Sequence, residues 1–471
     1  VTDAPVSTQT AQTSRSDSEP ARLEREWFLI RALACDAPTS GSARHALRDV
    51  DVIEVERGAE ARHARQVEAG VRRLRLQLPD RKLSASHARF TRTPSGWILE
   101  DLESTNGSYV DGTKITQAEL SEGSVVTLGR TLFLLRELEI SHRVADDLVV
   151  EPSASANLVT LSPGLQDSFS RLQRVAPSQL PILLLGETGT GKEVLARAVH
   201  EHSKRPGPFV PVNCGAIPAT LVEAQLFGHV KGAFTGAVKA ELGFVRSAAF
   251  GTLFLDEIGD LPASSQVALL RVLQSGEITP LGSAQPVHAD VRILAATHRD
   301  VNELMESGGF RRDLYARLAG FVNRLPPLRE RSEDLGLLIG ALLLRHASER
   351  GDIRIRPEAA RALFAHAWPL NVRELEQCLA AAIVLADGDV IAIDHLPESV
   401  RQVEAPRNPR SPTARPPVPL TEEEQATKDA LIATLAETWG NVTETARRMG
   451  KARQQIQRWL RRFGIDPASF R

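Results

Sequence analysis

Ile182-Leu183-Leu184-Leu185-Gly186-Glu187-Thr188-Gly189-Thr190-Gly191-Lys192-Glu193 decides the class of the central fold. The run from Pro181 to Leu185 is short, apolar and of the kind that forms a buried strand, and 193–202 has helical spacing. Between them, glycines let main-chain N–H groups curl around phosphate oxygens, and the start of the helix adds favourable partial charge. Lys192 is placed to reach the β- and γ-phosphates of a nucleotide. The expected nucleotide contacts are therefore Gly186, Glu187, Thr188, Gly189, Thr190, Gly191, Lys192 and Glu193. Glu193 stands where a Ser or Thr usually touches Mg²⁺, so the metal needs another anchor.

That anchor is expected further along. The apolar run Leu253-Phe254-Leu255 ends in Asp256-Glu257, which delivers two carboxylates to the carboxyl edge of a sheet, beside the ligand crevice. Asp256 suits the shell of Mg²⁺, and Glu257 suits activation of the water that attacks ATP. A solvated acidic pair closing a strand is the plain alternative. Buried-type strands near 182–185, 252–255 and 291–296 alternate with helical stretches, the pattern of a parallel sheet wrapped by helices.

A chain of 471 residues exceeds one ordinary core, which leads to about three units. The lack of any run of about 18 apolar residues gives no reason to expect a membrane span. Cys35, Cys214 and Cys378 lie far apart, fit no metal-ligand spacing and cannot all pair, so a reducing compartment, the cytoplasm, is expected. The 57 Lys plus Arg nearly balance 59 Asp plus Glu, so any nucleic-acid contact must come from a local patch.

Residues 1–25 have no apolar core of a signal peptide and read as a disordered arm. Short alternating runs across 26–138, such as Leu74-Arg-Leu-Gln-Leu78, predict an all-β sandwich. A linker is expected at 139–160, the α/β unit at 161–400 with a helical lid from about 331, a Pro-rich linker at 401–420, and an all-α unit at 421–471.

Between the two ATP motifs lies Leu226-Phe-Gly-His229, then Lys231-Gly232-Ala233-Phe234-Thr235-Gly236-Ala237. Glycines at both flanks allow a loop that changes shape, with an aromatic ring at its tip. From about Leu161 to Val400 the chain resembles the AAA+ activators of sigma-54 polymerase, the bacterial enhancer-binding proteins. The resemblance implies that Gly232, Ala233, Phe234, Thr235, Gly236 and Ala237 contact sigma-54.

The resemblance also implies that Arg311 and Arg317, in Phe310-Arg311-Arg-Asp313-Leu314-Tyr-Ala-Arg317, act as fingers on a neighbouring subunit's ATP. Asn213 resembles the switch asparagine that orients Glu257. Thr297, with His298, resembles the γ-phosphate sensor. Arg373, in Trp368-Pro-Leu370-Asn371-Val-Arg373, resembles the second sensor in the lid. Fingers between subunits imply a ring, which by the resemblance is a hexamer assembled from dimers.

Thr421-Glu-Glu-Glu424 opens the last block as a capping box, before helical stretches and a turn near Gly450. This block resembles a Fis-type helix-turn-helix. Opposite its apolar stripe lie Arg453, Gln454, Gln457, Arg458 and Arg461, residue types that read base edges and hold phosphates of upstream DNA.

The N-terminal sandwich resembles a forkhead-associated domain through Val55-Glu-Arg57-Gly58, Leu83-Ser84-Ala-Ser-His87 and Ser104-Thr105-Asn106-Gly107. By that resemblance Arg57, Ser84 and Thr105 hold the phosphate of a phosphothreonine-containing protein, and Asn106 holds its backbone. Taken singly, Asn106-Gly107 reads equally as a hairpin turn and His87 as a packed core residue. The whole implies a sigma-54 RNA polymerase activator under a Ser/Thr kinase pathway. A DNA-binding repressor on the same ATPase fold and a general AAA+ unfoldase are the alternatives; neither has a use for the intact 232–237 loop.

Overall fold

The computed structural model describes residues 24–141, 144–153, 158–347, 352–386, 388–402, 430–435, 437–438, 442–451 and 455–456. Its first layers are two packed sheets. The strands are β1 (Glu24–Ala34), β2 (Ser42–Ala46), β3 (Val52–Arg57), β4 (Arg62–Glu68), β5 (Val71–Leu78), β6 (Ala88–Thr93) and β7 (Gly96–Asp101). They continue as β8 (Ser108–Val110), β9 (Thr113–Ile115), β10 (Gln117–Leu120), β11 (Val125–Leu128), β12 (Thr131–Ile140) and β13 (Asp147–Val150). One sheet runs β13-β2-β1-β12-β11-β8-β9 and the other β10-β7-β6-β3-β5-β4.

Two features go beyond the sequence pattern. The span expected as a linker supplies β13, which pairs with β2 through Asp147↔His45 to Val150↔Ser42. The long stretch between Arg57 and Ser84 holds the hairpin β4–β5, turned at Ala69 and Gly70, both with positive φ.

β1 and β12 pair antiparallel from Glu24↔Ile140 to Ala34↔Thr131 and are buried on both faces. Leu29, Phe133 and Leu135 face the second sheet with Val55, Phe90 and Trp97. Phe28, Ile30, Ala32, Leu134 and Leu138 face the other way, into a core shared with the helical lid. Double burial explains why Trp27-Phe-Leu-Ile30 and Leu132-Phe-Leu-Leu135 are continuous apolar runs and not alternating ones.

The α/β unit follows: α1 (Pro163–Val175), β14 (Ile182–Leu185), α2 (Lys192–Ser203), β15 (Phe209–Asn213), α3 (Val222–Phe227), α4 (Phe244–Ser247), β16 (Thr252–Asp256) and α5 (Ala263–Ser275). Then come β17 (Glu277–Ile278), β18 (Val287–His288), β19 (Arg292–Thr297), α6 (Val301–Glu306), α7 (Arg312–Leu318) and β20 (Phe321–Arg324). The parallel five-stranded sheet has the order β15-β16-β19-β14-β20. The first strand of the unit thus lies between the fourth and the fifth. A crevice opens at the carboxyl end of such a strand, where ligands bind in open α/β sheets.

The lid contains α8 (Leu335–His346), β21 (Arg354–Ile355), α9 (Pro357–Ala365) and α10 (Asn371–Leu385). Helix α8, LGLLIGALLLRH, is apolar and largely buried from Leu335 to Leu343, as that composition requires, and its last turn, Leu344 to His346, is exposed. Leu335, Ile339 and Leu343 join Phe28, Ile30 and Leu134 in one core. At roughly 1.5–3 kcal/mol for each fully buried aliphatic or aromatic side chain, hydrophobic burial dominates this contact.

Residues 406–471 form a separate compact unit. Its described part holds the helix Val442–Arg448, with Leu431, Leu435, Ala446 and Ile456 buried and the Thr438 and Thr445 hydroxyls 2.7 Å apart. Arg453, Gln454, Gln457, Arg458 and Arg461 lie outside the described residues.

Candidate functional site

A cavity of about 450 Å³ opens where β14 hands over to α2. Its walls include Thr188, Gly189, Thr190, Gly191, Lys192, Glu193, Asn213, Asp256, Glu257 and Arg373. Gly189 takes φ +78°, and a Cβ there would fall 2.3 Å from the Leu370 carbonyl oxygen, so only glycine fits. Gly191 caps α2 at φ +102°.

Lys192 is buried, its Nζ donating to the carbonyls of Gly186 at 2.9 Å and Glu187 at 3.0 Å. Burial pushes its ammonium below the ordinary range, and Glu257 and Asp256 pull the other way. At Asp256, burial and then the charge of Glu257 push the carboxyl up, while Lys192 opposes them. A cation and two acids thus share one low-dielectric cleft. Such a cleft suits a charged ligand that brings its own phosphates.

Glu257 follows β16 in the left-handed region, at φ +53°. That conformation costs a non-glycine residue of order 1–3 kcal/mol and recurs at functional sites. Its Oε2 lies 2.6 Å from Nδ1 of His298 and accepts from the His298 main-chain N–H at 3.3 Å. Asn213 ends β15 opposite Asp256, but its Oδ1 accepts from Ala216 N–H at 3.1 Å and does not hold Glu257. The Thr297 hydroxyl is buried and accepts from Arg299 N–H at 3.1 Å. Of that pair, His298 is the residue on Glu257.

Arg311 and Arg317 are exposed at α7, away from this cavity. Arg311 forks onto the Asp313 carboxylate at 3.0 and 2.7 Å. Within one protomer neither arginine reaches the P-loop cleft.

The Gly232-Ala233-Phe234-Thr235-Gly236-Ala237 loop is closed by Gly232 N–H on Ala237 O at 2.9 Å and Ala237 N–H on Phe234 O at 3.0 Å. Gly232 and Gly236 have φ +82° and +102° with open space around them, so conformation and not crowding requires glycine. The loop's root is tied by the His229 and Glu241 main chains and by Val230 N–H on Leu281 O. Phe234 is 39% exposed, its ring 5.0 Å from that of His229.

On the sandwich, Thr105 N–H donates to Ser84 Oγ at 3.1 Å, and Asn106 Nδ2 donates to Lys82 O at 2.7 Å. Arg57 is exposed, with its N–H on Ser84 O at 3.0 Å. Buried His87 accepts from Ser84 N–H at 3.1 Å through Nδ1, and burial holds its ring neutral. His87 is therefore the packed core residue that shapes the Ser84 loop. Glu56, next to Arg57, is turned onto Gln77 across the β3–β5 pair at 2.7 Å.

Residues 158–323 match the Sigma-54 interaction domain, 329–413 the AAA+ ATPase lid domain, and 67–129 the FHA domain. Regulatory protein AtoC of Escherichia coli is 41% identical over 324 residues, which cover 66% of this chain and 68% of AtoC. The chain belongs to the sigma-54-dependent transcriptional activators. Response regulator protein PilR of Pseudomonas aeruginosa is 39% identical over 348 residues, 72% of this chain and 76% of PilR. The crystal structure of NtrX from Brucella abortus in complex with ATP aligns at 32% identity and a TM-score of 0.47, covering 66% of this chain and 69% of that one.

The central unit of this activator is thus an AAA+ ATPase domain, and its N-terminal sandwich an FHA domain. Sequence reasoning missed the groups that grip the P-loop of this activator from behind. Arg329 forks onto the Glu187 carboxylate at 2.9 and 2.6 Å, and Arg331 Nη2 donates to Thr190 O at 2.7 Å. Asn371 Nδ2 donates to Thr188 O at 3.0 Å, and Val372 N–H to Gly189 O at 3.0 Å. Four consecutive P-loop residues are each held by the lid side. In sequence, Arg329-Glu-Arg-Ser-Glu-Asp334 looks like a solvated charge run, and only the fold reveals that Arg331, Glu333 and Asp334 are buried.

Proposed function

We propose that this protein activates sigma-54 RNA polymerase holoenzyme by hydrolysing ATP in a ring of its own copies and pulling on sigma-54 with the 232–237 loop. The intact Gly-Ala-Phe-Thr-Gly-Ala loop in an AAA+ ATPase domain is the observation that carries this reading. Phe234 offers an aromatic grip, and the two positive-φ glycines allow the loop to change shape.

In the ATPase site, Gly186, Glu187, Thr188, Gly189, Thr190, Gly191, Lys192 and Glu193 surround the phosphates, with Lys192 leaving its carbonyl partners for the β/γ oxygens. Asp256 fits Mg²⁺, because a half-buried carboxylate raised by burial gains by meeting a cation. Mg²⁺ supplies neutralisation of phosphate charge when bound. Glu257 orients and deprotonates the attacking water, with His298 as its handle.

Asn213, Thr297 and Arg373 sense the nucleotide, and Arg311 and Arg317 act on a neighbouring copy's ATP, which fits their exposure away from their own cleft. The ring is a hexamer built from dimers. The C-terminal unit binds upstream DNA through Arg453, Gln454, Gln457, Arg458 and Arg461. Arg57, Ser84, Thr105 and Asn106 read a phosphothreonine on a partner protein; an exposed arginine whose main chain holds the Ser84 loop, with the Ser84 and Thr105 hydroxyls in contact, supports that chemistry.

Open-complex formation at a sigma-54 promoter, with purified holoenzyme and this full chain, tests the proposal. Wild type should open the promoter only with ATP, and Lys192→Ala should neither hydrolyse ATP nor open it. ATP-independent opening, or opening by Lys192→Ala, contradicts the proposal.

A further inference from the structure

The segment 328–334 runs between the P-loop and the FHA sandwich and holds both. Toward the P-loop, Arg329 takes Glu187 and Arg331 takes Thr190 O. Toward the sandwich, Arg136 of β12 donates through Nη1 to Glu333 Oε2 at 2.6 Å and to the Ser332 hydroxyl, and through Nη2 to Glu330 O at 3.4 Å. Its Nε is fixed by Glu122 at 2.8 Å. Next in line, Asp334 accepts from the Thr160 hydroxyl and Leu161 N–H, both at 2.6 Å, and Arg44 of β2 donates to Leu161 O at 2.7 Å.

Helix α8 makes the same connection by packing. Leu337, Leu338, Ala341, Leu342 and Arg345 line the P-loop cavity. On another side of the helix, a Cβ at Gly336 would fall 1.8 Å from Ala32 O of β1, and one at Gly340 2.8 Å from Pro38 O. The sandwich and the cavity share this wall.

Glu333 is 1% exposed, and Arg136 only 9%. A buried carboxylate that loses its cation is strongly destabilised, so the segment must move or take up a proton. A shift of the segment displaces Arg331, two residues away. Rigid packing transmits such shifts and does not absorb them.

We infer that Arg136, a residue of the FHA sandwich, is a positioning residue for the ATPase site, acting through Ser332 and Glu333 on Arg331 and so on the Thr190 carbonyl of the P-loop. This rests on the cavity being the nucleotide site. The sandwich is then a working part of the lid, and whatever occupies it bears on nucleotide affinity.

The test uses the full chain with Arg136→Ala, Arg136→Lys, and the double variant Arg136→Met with Glu333→Met, which removes the pair without stranding a buried charge. ADP affinity, the KM and kcat for ATP, and the melting temperature are measured. Arg136→Ala should weaken ADP and raise KM about tenfold, the scale of one charge-assisted hydrogen bond, with kcat within about twofold. Arg136→Lys should recover most of that loss. The methionine pair should melt near wild type and still bind ADP about tenfold more weakly, and it decides the matter if Arg136→Ala does not fold. A methionine pair with wild-type ADP affinity and KM overturns the inference and leaves Arg136 a purely structural residue. Wild-type chain that fails to bind ADP at all refutes the nucleotide site itself, a distinguishable result.

Discussion

His298 Nδ1 lies 2.6 Å from Glu257 Oε2, and the His298 main-chain N–H reaches the same oxygen. The carboxylate proposed to activate water is thus anchored to the end of β19, the strand next to its own. Glu257→Gln should lower kcat by about 10²- to 10⁴-fold, the usual contribution of a positioned base, while nucleotide binding survives. His298→Ala should cost far less, about tenfold, because it loosens the base without removing it. Hydrolysis by Glu257→Gln at wild-type rate removes Glu257 from the chemistry.

Asn371 is buried, has φ +58°, and accepts from Leu328 N–H at 2.7 Å while holding Thr188 O. Leu370 has φ −101°, and the turn places its left-handed residues at Trp368 and Asn371. Asn371→Ala should cost about 2–5 kcal/mol, combining roughly 1–2 for left-handed backbone and 1–3 for the orphaned Leu328 N–H. Asn371→Gly should recover the backbone part. Urea denaturation of both separates them; equal losses contradict the strain term.

Glu333 gives stability a pH dependence. Burial pushes its carboxyl up to about 7, with Arg136 opposing and Asp334 adding to the rise. In the unfolded chain a glutamate releases its proton near 4.3. Between about 4.3 and 7 the folded state therefore binds more protons, and stability falls as pH rises through that window. Glu333→Gln should flatten this slope, read from urea midpoints across roughly pH 5 to 7. An unchanged slope contradicts the assignment.

The Ser84–Thr105 contact at the sandwich tip predicts a phosphate site that depends on Arg57. A degenerate phosphothreonine peptide pool should bind the full chain, and Arg57→Ala should weaken it at least tenfold, the loss of a charge-assisted pair. The unphosphorylated pool should not bind. Equal binding of both pools contradicts phosphothreonine recognition.

Local spacing made much of this molecule legible. A strand, three glycines and a helix over 182–203 need no distant partner to be recognised, and strand ends carry Asp256 and Glu257 to the same edge as Lys192. Long-range contacts left no such mark. Arg331 meets Thr190 across 141 residues, and Arg136 meets Glu333 across 197, so neither pattern nor composition signals them. The continuous apolar runs of β1 and β12 did carry a trace of the lid, because one-sided sandwich strands alternate and these do not. Asn213 sits at the edge beside Asp256, yet its side chain serves its own turn in this state.

Coupling between ATP and the 232–237 loop is the central claim, and Phe234→Ala tests it most directly. The exposed ring makes no part of the ATP cavity, so the variant should hydrolyse ATP within about twofold of wild type, an effect near the noise of surface substitutions. It should form no open complex with sigma-54 holoenzyme. Normal open-complex formation by Phe234→Ala contradicts the account.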